Sequence, residues 1–78
     1  MDGPILVVDD DESLLDMMGM ALEMMGYQAT RASSLAEASR LAERQRFDLV
    51  LLDNHFPEGH GDSIVPALLE RWPETHIV

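Results

Sequence analysis

The stretch Phe47-Asp48-Leu49-Val50-Leu51-Leu52-Asp53 narrows the possible folds more than any other part of the chain. Four apolar residues in a row run straight into an acid. An apolar run this short, bounded by polar residues, predicts a strand covered on both faces, as in a parallel sheet. Asp53 then falls at the carboxyl end of the strand, on the edge where open α/β sheets bind their ligands. Ile5-Leu6-Val7-Val8 repeats the design and runs into Asp9-Asp10-Asp11. Two such strands lying side by side in parallel would bring their acids together at one edge.

The segments between supply the rest of an alternating pattern. From about Glu12 to Met25, helical spacing places Leu15, Met18, Leu22 and Met25 on one stripe, with Leu14 and Ala21 beside it. Asp16, Gly19 and Glu23 mark a polar side, and Met17, Met20 and Met24 add a further apolar flank, which is more often ordinary core than an adaptable surface for another helix or chain. Gly26 is placed to end this helix. Tyr27 to Ala32 read as a short edge strand. Ser34 and Glu37 form a capping box for a helix that runs to about Arg46, with Leu35, Ala38, Leu41 and Ala42 inward. Asn54 to Gly61 hold Pro57, Gly59 and Gly61 and predict a loop. Ile64, Val65, Leu68, Leu69 and Trp72 form the buried side of a third helix, with Pro66 tolerable only in its first turn, so the helix starts or kinks near Ser63. Pro73 stops it, and Thr75 to Val78 begin a fourth strand. Strands alternating with helices predict a doubly wound parallel α/β sheet with right-handed crossovers.

Seventy-eight residues allow one domain, and a chain this short buries only about 60% of its unfolded surface. The absence of cysteine excludes disulfides, thiolate metal sites and thiol nucleophiles. The net charge of −10 argues against nucleic acid as a direct partner, since phosphate binding needs clustered cations. No apolar run approaches the roughly 20 residues of a membrane span, and no leader resembles a signal peptide, so a cytoplasmic location is expected.

Three carboxylates at one edge repel, by roughly 4 kcal/mol for each pair about 4 Å apart at an effective dielectric near 20. A divalent cation would offset that cost. An oxygen-only donor set favours a hard ion, and Mg²⁺ takes one or two carboxylates together with waters and a phosphate. A metal-bound phosphate beside a free carboxylate permits phosphoryl transfer to it. The alternative is plainer: one acid caps the first helix, where N–H groups are unpaired, and the others are solvated.

In combination, the strand Ile5–Val8 followed by Asp9-Asp10, the strand Leu49–Leu52 followed by Asp53, then Pro57, Gly61 and the Pro73 turn into the next strand resemble the receiver domain of bacterial two-component response regulators. The resemblance covers essentially residues 1–78. It implies a flavodoxin-like receiver fold, strand order 2-1-3-4, with a fifth strand in the complete family fold. It implies that Asp53 is the phosphoacceptor for a sensor histidine kinase, and that the protein is a phosphoacceptor rather than an enzyme. Mg²⁺ would be held by Asp10 with help from Asp9, by Asp53, and by the backbone carbonyl of His55. Asn54 occupies a variable position that tunes dephosphorylation, and His60 and His76 are surface residues. The chain departs from the family at its far end. It stops inside the fourth strand, before the family's Ser or Thr, its fifth-strand lysine and its switch surface; this sequence has no lysine at all. A fragment of a longer regulator is therefore expected, with its output domain elsewhere and an unpaired edge that invites homodimerisation.

Two rivals remain. Asp9-x-Asp11-x-Ser13 resembles the first motif of haloacid dehalogenase-type phosphatases, with Asp9 as nucleophile. A dimerisation or binding module with vestigial acids would use the methionine flank or the open sheet edge.

Overall fold

Ile5–Val8 form strand β1, and all four side chains are at most 1% exposed. Burial on both faces places this strand in the middle of a sheet, and the computed structural model of the chain, which describes residues 3–53 and 55–78, has it there. The elements follow as α1 (Glu12–Met24), β2 (Ala29–Ala32), α2 (Leu35–Arg44), β3 (Leu49–Leu52), β4 (His55–Phe56), β5 (Gly59–His60), a 3-10 turn (Gly61–Ile64), α3 (Val65–Arg71) and β6 (His76–Ile77). The main sheet is parallel, in the order β2-β1-β3-β6, which is the predicted 2-1-3-4 arrangement. β4 and β5 form a separate antiparallel hairpin inside what the sequence predicted as a plain loop.

Alternate residues of β1 enter different cores because successive strand side chains point to opposite faces. Leu6 and Val8 join Ala32, Leu35, Ala38, Ala42, Phe47, Val50, Phe56 and Leu68 beneath α2 and α3. Ile5 and Val7 join Leu15 beneath α1, where Met18, Leu22, Tyr27, Leu49 and Leu51 are half-buried. The α2–α3 side is the larger core. Two polar contacts tie it together: Trp72 Nε1 donates to Ala42 O at 2.6 Å, and buried Thr75 donates through Oγ1 to Phe47 O at 2.7 Å.

Several boundaries differ from those predicted, each for a local reason. The strand expected from Tyr27 begins at Ala29 because the chain before it closes α1. Gly26 N–H donates to Glu23 O and Tyr27 N–H to Leu22 O, both at 3.0 Å, with Gly26 at φ 93°. That pair of bonds is a Schellman closure, and Leu22 and Tyr27 lie in the same apolar cluster. α2 ends at Arg44 because Gln45 is extended. β3 is shorter than Phe47–Asp53, with Phe47 buried ahead of it. The 3-10 turn precedes α3, which leaves Pro66 in the first turn of the helix.

The faces of α1 also need correction. Met25, assigned to the buried stripe, is 68% exposed, whereas Gly19, assigned to the polar side, is buried. A Cβ at Gly19 would fall 2.3 Å from Arg31 Cζ, so the missing side chain makes room for the guanidinium. Arg31 lies across the helix there and pairs with Asp16 and Glu23 at 3.4 and 3.1 Å. Met17, Met20 and Met24, on a flank that the sequence assigns more readily to core, stand exposed instead.

Replacing Thr75 by Val keeps the shape but removes the donor to Phe47 O. Because the site is buried, Thr75→Val is expected to lower the unfolding free energy by about 1–3 kcal/mol, read as a reduced midpoint in urea denaturation.

Candidate functional site

The site is built by register. Val8 is level with Ala32 of β2 and with Leu52 of β3, so the three strands finish together. The ladder continues one residue past them. Asp9 N–H donates to Ala32 O at 3.1 Å, and Asp53 N–H donates to Val8 O at 3.0 Å. Asp9 and Asp53 are thereby fixed at matching positions on adjacent strand ends by main-chain bonds.

Three carboxylates converge at this edge. Asp9, Asp10 and Asp53 each offer an oxygen, and these oxygens lie within 4.8 Å of one another. Asp9 is buried, Asp53 half-buried and Asp10 exposed. Across 4.8 Å a carboxylate pair repels by about 1 kcal/mol in water and by roughly 3–4 kcal/mol at an effective dielectric of 20. The donor set is all oxygen and its spacing is close to that needed to share one small ion, so it fits a hard divalent cation.

The neighbouring acid has a different task. Asp11 is the N-cap of α1, and its Oδ1 accepts from Ser13 N–H at 3.1 Å and Leu14 N–H at 3.2 Å. Its own N–H donates to Asp9 Oδ1 at 2.9 Å and orients that carboxylate. The run of three acids thus divides into a strand-end carboxylate, a turn carboxylate and a cap. This division disfavours the phosphatase reading, which needs Asp11 as an acid/base, and α1 follows at Glu12 with no room for a flap.

His55 N–H lies 3.5 Å from Asp53 Oδ1, at the foot of the β4–β5 hairpin. Its ring faces that of His60 edge-on, with centroids 6.4 Å apart, and both rings are exposed. His76 is exposed too. Asn54 lies outside the described residues. A small cleft of about 60 Å³ between α2 and α3 is lined by Ser39, Ala42, Ile64 and Leu68 among others; none of the three clustered acids borders it.

Sequence reasoning missed Glu58. Its carboxylate accepts from Leu35 N–H at 2.8 Å and from Ala36 N–H at 3.3 Å, and so links the hairpin to the start of α2. The capping box is also shifted. Ser34 Oγ accepts from Glu37 N–H as expected, but Glu37 Oε1 accepts from Ser33 N–H, one residue earlier than the motif predicts. No local pattern signals a partner 23 positions away.

A doubly wound α/β domain with acids from its first and third strands gathered at the carboxyl edge is the class that fold and site define together. A model of the response regulator receiver domain matches residues 5–78, and the chain belongs to that family. It is similar to the photosynthetic apparatus regulatory protein RegA of Cereibacter sphaeroides, at 34% identity over 99% of this chain and 42% of that protein. It is also similar to the transcriptional regulatory protein GlrR of Escherichia coli, at 40% identity over 95% of this chain and 17% of that one. The chain spans less than half the length of these curated relatives. Among solved structures, it is similar to a Burkholderia pseudomallei response regulator that holds a phosphorylated aspartic acid, a calcium ion and citrate. The TM-score is 0.91 at 30% identity, covering 97% of this chain and 45% of that one. The Thermotoga maritima response regulator TrrA, in complex with Mg²⁺ and BeF, aligns with a TM-score of 0.88 at 27% identity over 99% of this chain and 66% of that one. Among the described residues, no helix is long and apolar enough to cross a membrane.

The division of labour among the acids can be checked by substitution. Asp11→Ala is expected to cost about 1 kcal/mol of stability while leaving a divalent-cation titration unchanged. Asp10→Asn is expected to do the reverse: the cation-free protein is no less stable, and the thermal stabilisation given by added Mg²⁺ is lost. Melting curves with and without Mg²⁺ measure both.

Proposed function

We propose that Asp53 accepts a phosphoryl group from a sensor histidine kinase, with Mg²⁺ held by the carboxylates of Asp9, Asp10 and Asp53 and by the backbone carbonyl of His55. The observation that carries this reading is the convergence of the three carboxylates within 4.8 Å at the ends of β1 and β3. Family membership supports it, as do the phosphorylated aspartic acid and the calcium ion of the Burkholderia relative.

Half-buried Asp53 presents its carboxylate as the nucleophile at the sheet edge. One of its oxygens attacks phosphorus in line. A P–O bond to Asp53 forms as the P–N bond of the donor phosphoimidazole breaks, and the imidazole nitrogen leaves with the electron pair. Asp9, oriented by the Asp11 N–H, and Asp10 hold negative charge against this centre. When bound, Mg²⁺ would neutralise that charge together with the charge on the phosphoryl oxygens. In a longer cytoplasmic regulator, an output domain beyond these 78 residues would read the modification.

Intact mass after incubation with Mg²⁺ and acetyl phosphate tests the assignment. The expected result is one added phosphoryl group, absent without Mg²⁺ and absent in Asp53→Asn. An adduct that survives Asp53→Asn but disappears in Asp9→Asn would overturn it and move the nucleophile to the first strand.

A further inference from the structure

The hairpin that follows Asp53 is fastened at more than its foot. Phe56 of β4 is only 9% exposed and lies in the α2–α3 core. Gly59, at φ 141°, makes the turn back into β5, and Glu58 stands beside it at the tip. From there Glu58 accepts from the first two N–H groups of α2, Leu35 at 2.8 Å and Ala36 at 3.3 Å. The third, Glu37 N–H, is taken by Ser34 Oγ at 3.1 Å, and Ala38 N–H donates to Ser34 O at 3.0 Å. Ala38 N–H thus begins the regular helical ladder, and the N–H groups of Leu35, Ala36 and Glu37, which a helix start leaves without helical partners, are all paired, two of them by a residue from another part of the chain. A carboxylate there also meets the positive end of the helix dipole, and its bonds are charge-assisted.

We propose that Glu58 is a positioning residue: it clasps the β4–β5 hairpin to the start of α2 and thereby holds the main chain at His55 in the geometry that faces the carboxylate cluster. This rests on the reading of that cluster as a cation site. His55 lies between two fixed points, its own N–H at Asp53 Oδ1 and the buried Phe56 ring beside it. Pro57, with its restricted φ, joins that anchor to the clasp. Releasing the tip leaves Phe56 to hold the hairpin alone. The apparent affinity for a cation falls by the fraction of molecules whose hairpin has moved.

Helix capping by itself predicts something different, and Ser34 supplies the control, since Ser34→Ala unpairs the same helix end without touching the hairpin. The experiment records amide ¹H–¹⁵N spectra and Mg²⁺ titrations of the wild-type protein and of Glu58→Ala, Glu58→Gln and Ser34→Ala. In Glu58→Ala, the cation-free spectrum is expected to shift at Leu35, Ala36, His55 and Phe56, and Mg²⁺ binding to weaken roughly two- to tenfold. Glu58→Gln, which keeps one acceptor oxygen, is expected to fall between wild type and Ala. Ser34→Ala is expected to move the α2 amides alone and to leave Mg²⁺ affinity as it was. Shifts confined to α2 in Glu58→Ala, with His55, Phe56 and Mg²⁺ affinity unmoved, would reduce Glu58 to a helix cap and overturn the proposal. If wild type shows no saturable Mg²⁺ response, the cation reading fails separately. The His55 and Phe56 shifts in the cation-free variants then decide the clasp, their presence upholding it and their absence overturning it.

Discussion

Everything at the carboxyl edge depends on the parallel register of β1 with its two neighbours. Val8 is level with Ala32 on one side and Leu52 on the other, and main-chain bonds carry the ladder on to Asp9 and Asp53. A one-residue slip would turn Leu6 and Val8 out of the α2–α3 core and push Ile5 and Val7 into it, so register is enforced by both cores at once. The relative position of the two acids is therefore set by apolar packing some distance away. The carboxylates need not attract one another, and they do not.

The loops that leave this edge absorb the consequences. After β1, a single turn spends Asp11 on capping α1 and on steering Asp9 through its N–H. After β3, the chain forms a hairpin anchored by Phe56 and Glu58. Each loop sends main chain back toward the acids and side chains outward to a helix or core. The strand ends are held by the sheet, and the loops by the helices they touch.

The strands and helices were legible because their signals are local: an unbroken apolar run for β1 and β3, helical spacing for α2, proline and glycine at the stops. The pairing of the two acidic strand ends followed from the alternation of elements, which forces a parallel sheet. Family resemblance, not spacing, supplied the roles proposed for Asp53 and His55. What escaped was non-local. Gly19 read as polar by its place on the helical wheel, yet it is buried because Arg31 comes over from β2 to fill the space. Tyr27 alternates like a strand residue, yet its N–H closes α1. Glu58 resembled any loop acid, because its partners lie on the start of a helix formed much earlier in the chain.

The sheet divides the molecule unequally. Among the described residues, the α2–α3 face holds a cluster of ten buried residues and is tied together by Trp72 and Thr75; the α1 face holds three, Ile5, Val7 and Leu15. Local opening starts where least apolar surface is buried, so α1 is the part of the fold nearest to independent unfolding. The turn through Asp10 and Asp11 joins α1 to the end of β1, where Asp9 is held in the sheet ladder beside Asp53. A cation held as proposed by the three carboxylates would tie Asp10, at the start of that turn, to the sheet, and α1 with it. By mass action, the concentration of that cation would then set how often the helix lets go.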